Sequence, residues 1–228
     1  MPNQRLFFPD PEAADDALTF ASRASRLADD EVRLHAQGGV LSMTAAPLAP
    51  RGLMDATPTV LGLRALAVDP ELVCDFVVTA SALAPASDDP RAVVLPPTSL
   101  LPAWAGVSAP RGGWTAHGTL AASTLAALAH RGIAAVAEAV PVDAGEDIVR
   151  TVRAHIWGEH SDELGGLPLG AAFAALALGF IGGDEQARVF VAGQWTRVSM
   201  ARGHVLVRGP VRSGMTEVRT TGSGKPRG

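Results

Sequence analysis

Tyrosine is absent from this chain, and cysteine and lysine occur once each. A lone Cys74 cannot close an intramolecular disulfide, and no cysteine-based zinc cluster can be assembled within one chain. It sits in the apolar run "ELVCDFVVTA", where a free thiol behaves as a small hydrophobe. A buried inert thiol in a reducing cytoplasm is the expectation. With Lys225 the only lysine, 18 of the 19 basic residues are arginine. That bias accompanies abundant Ala, Gly and Pro and carries no functional weight. Uninterrupted apolar runs of the ~18–20 residues that a spanning helix needs are also missing. The longest, "GGLPLGAAFAALALGFIGG" over 165–183, is broken by Pro168 and reads as a buried helix. The N-terminal "MPNQRLFFPDPEAADD" has no basic region followed by an apolar core, so neither a signal peptide nor a membrane span is expected. Catalytic signatures are lacking too. There is no G-x-S-x-G, and in "TTGSGKPRG" the phosphate-loop spacing is absent and Pro226 follows Lys225.

What is present suits a globular protein: 47% of residues are apolar and 18% charged, in a chain long enough to bury a full core. Asp10 as N-cap and Pro11 at the first helical position open an amphipathic helix over about 11–28. "EVRLHAQGGVLSMTA" alternates around Gly38-Gly39, a strong two-residue hairpin signal. "TPTVLGLRALAVD" and "ELVCDFVVTAS" read as further strands, with a short one at "RAVVLP". Helical periodicity begins at Thr119, stops at His130-Arg131-Gly132 and resumes briefly before Pro141. A helix over 143–158 follows, with Ile148, Val152, His155 and Ile156 on one face and Arg150 and Arg153 off it. The small-residue helix 168–181 comes next, and then three strands, "ARVFVA", "WTRVSM" and "HVLVRG".

The fold class expected is therefore α+β, an N-terminal helix with an antiparallel meander and a C-terminal helical segment ending in a three-stranded antiparallel meander. The expected divisions are 1–95, a Pro/Gly/Trp loop over 96–118, a unit over 119–210 and a basic, mobile tail over 211–228. No internal repeat is convincing.

Three places carry candidate chemistry. The aperiodic stretch 96–118 keeps Trp104, Trp114 and His117. A free linker rarely holds two indoles, so this loop either covers a core edge or lines a ligand pocket. "HIWGEHSDELGG" puts His155 and Glu159 four apart on a helix, with His160 next to them. That is a geometry a divalent metal can use. The spacing matches no zinc-hydrolase pattern, and Gly158 weakens the helix there. A helix end with His155 packed and His160 solvated is the expectation, and a metal-dependent hydrolase the alternative.

Finally, residues 186–228 carry a net charge of +7 against −11 for the remainder, an asymmetry that can mark a nucleic-acid contact through Arg197, Arg202 and Arg212. A helix, a second helix over 168–181 and a hairpin have the outline of a winged helix. The second helix offers Ala, Leu, Phe and Gly on every side, and so cannot read a groove.

The composite expectation is a cytoplasmic, non-catalytic binding or interaction protein acting as a homo-oligomer, with no cofactor predicted. Self-association is favoured over nucleic acid; the small-residue helix, expected to be buried inside the subunit or else partly across an oligomer interface, supports the reading together with the Trp loop and the lack of a catalytic signature.

Overall fold

A computed structural model describes residues 4–52 and 54–209, so the tail expected over 211–228, Arg212 included, lies outside the described residues. The fold is α+β. Helix α1 (Pro11–Ala24) follows a short strand β1 (Arg5–Phe7), and the Asp10 carboxylate accepts the Ala13 amide at 2.7 Å as its cap. It ends four residues earlier than the periodicity predicts. Successive backbone bonds from Arg26 to Arg23 and from Leu27 to Ala24 tighten the chain into turns there.

Strands β2 (Glu31–Gln37) and β3 (Val40–Leu48) form the expected hairpin, with Gly38 and Gly39 both at positive φ. Strand β4 (Thr59–Ala67) continues it. The next run does not extend the meander. Strand β5 (Cys74–Thr79) returns to pair with β2, because the free edge of β4 is taken by the last strand of the chain. Two short strands, β6 (Ala84–Pro85) and β7 (Ala92–Val94), pair with each other, and β7 also pairs with β1.

The second half departs from its reading at two points. Residues Thr115–Ala121, divided there between loop and helix, form strand β8. It is an edge strand with a bulge at Gly118 and exposed side chains, so it shows no alternation. Helix α2 (Ala122–Ala139) then runs unbroken through the predicted stop. Gly132 is there for packing: a β-carbon would lie 2.2 Å from the Trp157 ring. Helix α3 (Glu146–Gly158) is followed by a two-stranded turn, β9 (His160–Ser161) and β10 (Leu167–Pro168), and by α4 (Leu169–Ala177). Strands β11 (Gln186–Ala192), β12 (Trp195–Met200) and β13 (Gly203–Arg208) close the chain.

The halves share one eight-stranded antiparallel sheet of order β5-β2-β3-β4-β13-β12-β11-β8. Each half contributes helical structure and then three consecutive strands, and the third strands meet at the centre. Alternation sends Leu34, Leu41, Met43, Val60, Val205 and Val207 to one face, where they are buried under α1, α2 and α4. Within α4, Gly170, Ala171, Ala172, Ala174 and Ala175 are all buried against the chain's own sheet and α2. That removes the main support for reading this helix as an oligomer surface. Among the described residues no α-helix packs on the other face of the sheet.

Candidate functional site

The helix-free face is ruled into cross-strand rows. One row runs Arg33, Thr44, Leu63, His204, Ser199, Arg188, and its neighbour runs Leu61, Leu206, Arg197, Phe190. Residues two apart along a strand share a face, so both rows project the same way. The 96–114 stretch crosses this surface. Its Leu100 amide donates to the Val77 carbonyl at 2.8 Å, and a single 3-10 turn, Ala103–Gly106, carries Trp104. Trp104 is buried beside Leu61, Val77, Trp195 and Leu206 in a second, smaller core. The loop thus does both things its two indoles allow: it covers the sheet and encloses a cavity.

Specific polar contacts pin it. The Trp104 indole N–H donates to Glu31 Oε2 at 2.7 Å. Burial raises the Glu31 carboxyl above its ordinary range, and the indole bond opposes that shift. Arg33 grips Asp75 with Nε and Nη2 at 2.7 and 2.8 Å while its Nη1 donates to the Ala105 carbonyl at 2.8 Å. That fork holds the Asp75 carboxyl below the usual carboxylate range. The Trp114 indole N–H donates to the Pro110 carbonyl at 3.0 Å, and its ring lies 4.6 Å from the Arg197 guanidinium.

Beneath the loop is a cavity of about 370 Å³, open at one side. Leu61, Leu63 and Leu206 make its floor, with Trp104, Trp114 and His204 on its walls. A second cavity of about 380 Å³ lies beyond Arg197 and His204, which line both, and includes Arg188, Phe190 and Ser199. Burial, reinforced by Arg197, Arg64 and Arg188, holds the His204 imidazole below its ordinary range, and its Nδ1 lies 3.1 Å from Ser199 Oγ. Arg197 is sandwiched between Trp114 and Phe190, at 4.6 and 4.7 Å, with its Nε buried and unbonded. Burial chiefly, then Arg188, lowers its pKa from the ordinary value.

One arrangement here resembles a hydrolytic relay without being connected as one. Asp75, His35 and Ser42 are neighbours across β5, β2 and β3. Arg111 Nη2 stands 3.2 Å from His35 Nε2. A guanidinium only donates, so Nε2 accepts and the ring proton is on Nδ1, 3.6 Å from Asp75. The nitrogen that would activate Ser42 is therefore occupied, and among the described residues no hydrogen bond joins Ser42 to the ring.

The other candidates stand apart. His117 is exposed on β8 and lines neither cavity. His155 does not pack as expected: its side chain is 79% exposed, 3.5 Å from Glu159. The inward face of α3 is instead that of Ile156, Trp157 and Arg153, with Trp157 stacked on Phe173 at 4.4 Å and Arg153 over the same ring at 5.7 Å. Expecting Arg153 to point away overlooked that its stem and flat guanidinium cover apolar surface well. His160 is exposed at the start of β9, and among the described residues no group of three or more His, Cys, Asp or Glu converges. Arg202 lines a separate cleft with Asp16, Arg23 and Arg64, away from Arg197. Cys74 is half-buried, and burial pushes its thiol pKa up, as suits an inert thiol.

Residues 1–106 match the family model described as "Domain of unknown function (DUF8010)", and residues 109–212 match "Domain of unknown function (DUF8185)". The junction between the two falls inside the Trp loop. No curated protein matches the chain. Similar solved structures include the DNA polymerase sliding clamp of Caulobacter crescentus, 14% identical over 94% of this chain and 67% of that one, at a TM-score of 0.46. The DNA polymerase III subunit beta of Pseudomonas aeruginosa is 13% identical over 99% and 69%, at 0.48. A Bartonella birtlesii sliding clamp bound to griselimycin is 14% identical over 93% and 66%, at 0.47. The chain spans about two thirds of the length of these clamps.

Proposed function

We propose that the protein is a non-catalytic binding protein and that the cleft between the 96–114 loop and the open sheet face takes a small-molecule ligand. One observation carries the reading. Trp104 and Trp114 of the loop and His204 of β13, far from them in sequence, line a single cavity of about 370 Å³ with a leucine floor. Small-molecule sites are concave, of roughly 300–1,000 Å³, apolar in most of their lining and furnished with a few convergent polar groups. The occupied His35 Nε2 favours binding over hydrolysis. Among the described residues no helix is long and apolar enough to cross a membrane. A cytoplasmic location belongs to the same proposal, supported by the single thiol.

Self-association remains part of the proposal, and its support is now the outer edge of β8, which no described strand pairs. Arg197 faces the cleft and Arg202 lies elsewhere, which favours a small ligand over nucleic acid.

A thermal-shift screen of small molecules tests the site. Compounds that raise the Tm of the wild type should fail to raise that of Leu63→Trp, which fills the cavity. Equal shifts in both proteins would place binding outside the cleft.

A further inference from the structure

We propose that the ligand is a small organic anion, its charged group held by Arg197 and Arg188 and its flat apolar body lying beneath Trp114. This rests on the reading of the cleft as a ligand site and adds the chemistry of what it takes.

The argument begins with unbalanced charge. Arg33 is locked by Asp75, and Arg111 faces His35. Among the described residues, no carboxylate stands within ion-pair distance of Arg197 or Arg188. The acid nearest them along the second cavity, Glu185, is already engaged: its two oxygens accept the Gly182 and Ala201 amides at 3.1 and 2.9 Å. Arg197, half-buried and without a counter-ion, is costly to hold so, and an entering anion would remove that cost, with the exposed Arg188 nearby adding to its attraction.

Geometry adds to charge. The Phe190 ring is within reach of both guanidiniums, 5.8 Å from Arg188 and 4.7 Å from Arg197, and the Trp114 ring is 4.6 Å from Arg197. The rings hold the cation in place, so little side-chain freedom is lost on binding. His204, kept neutral, adds no charge, while the Ser199 hydroxyl beside it offers a hydrogen bond. Arg197 and His204 line both the charged cavity and the leucine-floored one, so a group held by Arg197 can be approached from either. A ligand with an acid head and a flat body spans both.

The test is calorimetric titration of the full chain with naphthoate, naphthyl phosphate, uncharged naphthalenemethanol and inorganic phosphate. At least one of the two aromatic anions should bind about tenfold or more tighter than the alcohol, as expected for hydrogen bonds to a charged group. Which anion binds tighter assigns the head group as carboxylate or phosphate. Arg197→Gln and Arg188→Gln should abolish the preference of the aromatic anions over the alcohol. Arg197→Lys, which keeps the charge, should retain part of it, which separates charge loss from misfolding. Alcohol and acids binding equally, with Arg197→Gln silent, would overturn the anion inference and leave the cleft reading standing. Inorganic phosphate binding as tightly as naphthyl phosphate would overturn the role assigned to the flat body. Binding of none of the four would overturn the inference and the cleft reading together.

Discussion

At the scale of single residues, the cleft depends on side chains held in disfavoured electrostatic states. His204 is one, and its sign can be worked out. Its folded pKa lies below the ordinary imidazole value, so the unfolded chain binds a proton first as pH falls. Its contribution is fully present above about pH 6.5 and is lost as pH falls from there toward the folded pKa. Urea denaturation of wild type and His204→Gln between pH 7 and 5 should show a shallower pH dependence in the variant; parallel curves would contradict this. Asp75, whose pKa Arg33 depresses, contributes in the same direction in a more acid range, with stability lost as pH falls through its folded value. Gly132 gives a second residue-level prediction. In an open helix, Gly→Ala gains up to about 1 kcal/mol, but here the new methyl meets Trp157, and Gly132→Ala should destabilise by about 1–3 kcal/mol in the same assay. Neither effect was legible in the sequence. Gly132 looked like a helix stop because a mid-helix glycine serving a distant indole leaves no local trace. The arginines of α3 looked solvent-facing because hydropathy ignores what a guanidinium stem can cover.

At the scale of elements, the 96–114 loop was the best-read and least-resolved feature. Its two indoles signalled packing, and both are held there, but no periodicity could show which face they would reach. The alternating strands β2, β3, β11, β12 and β13 were legible because each buries one face and solvates or half-covers the other. Strand β8 was not, since an edge strand with exposed side chains on both faces carries no binary pattern. The pinning of the loop is testable through its central bond. Trp104→Phe keeps most of the ring but removes the donor to the half-buried Glu31 carboxylate. Leaving that acceptor unpaired should cost about 1–3 kcal/mol. Trp104→Phe with Glu31→Leu should recover part of that loss; a double variant no more stable than the single would show that the bond is not what holds the loop.

At the scale of the whole molecule, the central fact is that two sequence units build one sheet. Strand β4 from the first and β13 from the second pair over five residue positions, Thr59 to Leu63 against Arg208 to His204, and the leucine-floored cavity straddles that seam. Residues 1–106 alone would leave the β4 edge unpaired and the core under α4 uncovered. Expressed separately, that half should show no cooperative thermal transition by circular dichroism, and a sharp transition would mean that the seam is dispensable. If the chain self-associates through β8, light scattering should give about twice 23.5 kDa; a mass at the monomer value would end that part of the proposal. The claim on which the rest depends is that ligand binds between the loop and the sheet, and three of the four indoles can report on it directly. Trp104 and Trp114 line the cleft, whereas Trp157 packs against α2 and Phe173 on the far side of the sheet. In a titration with naphthoate or naphthyl phosphate followed by nitrogen–proton correlation spectra, the indole N–H signals of Trp104 and Trp114 should move while that of Trp157 stays. Movement of Trp157 with Trp104 and Trp114 unaffected would contradict the account.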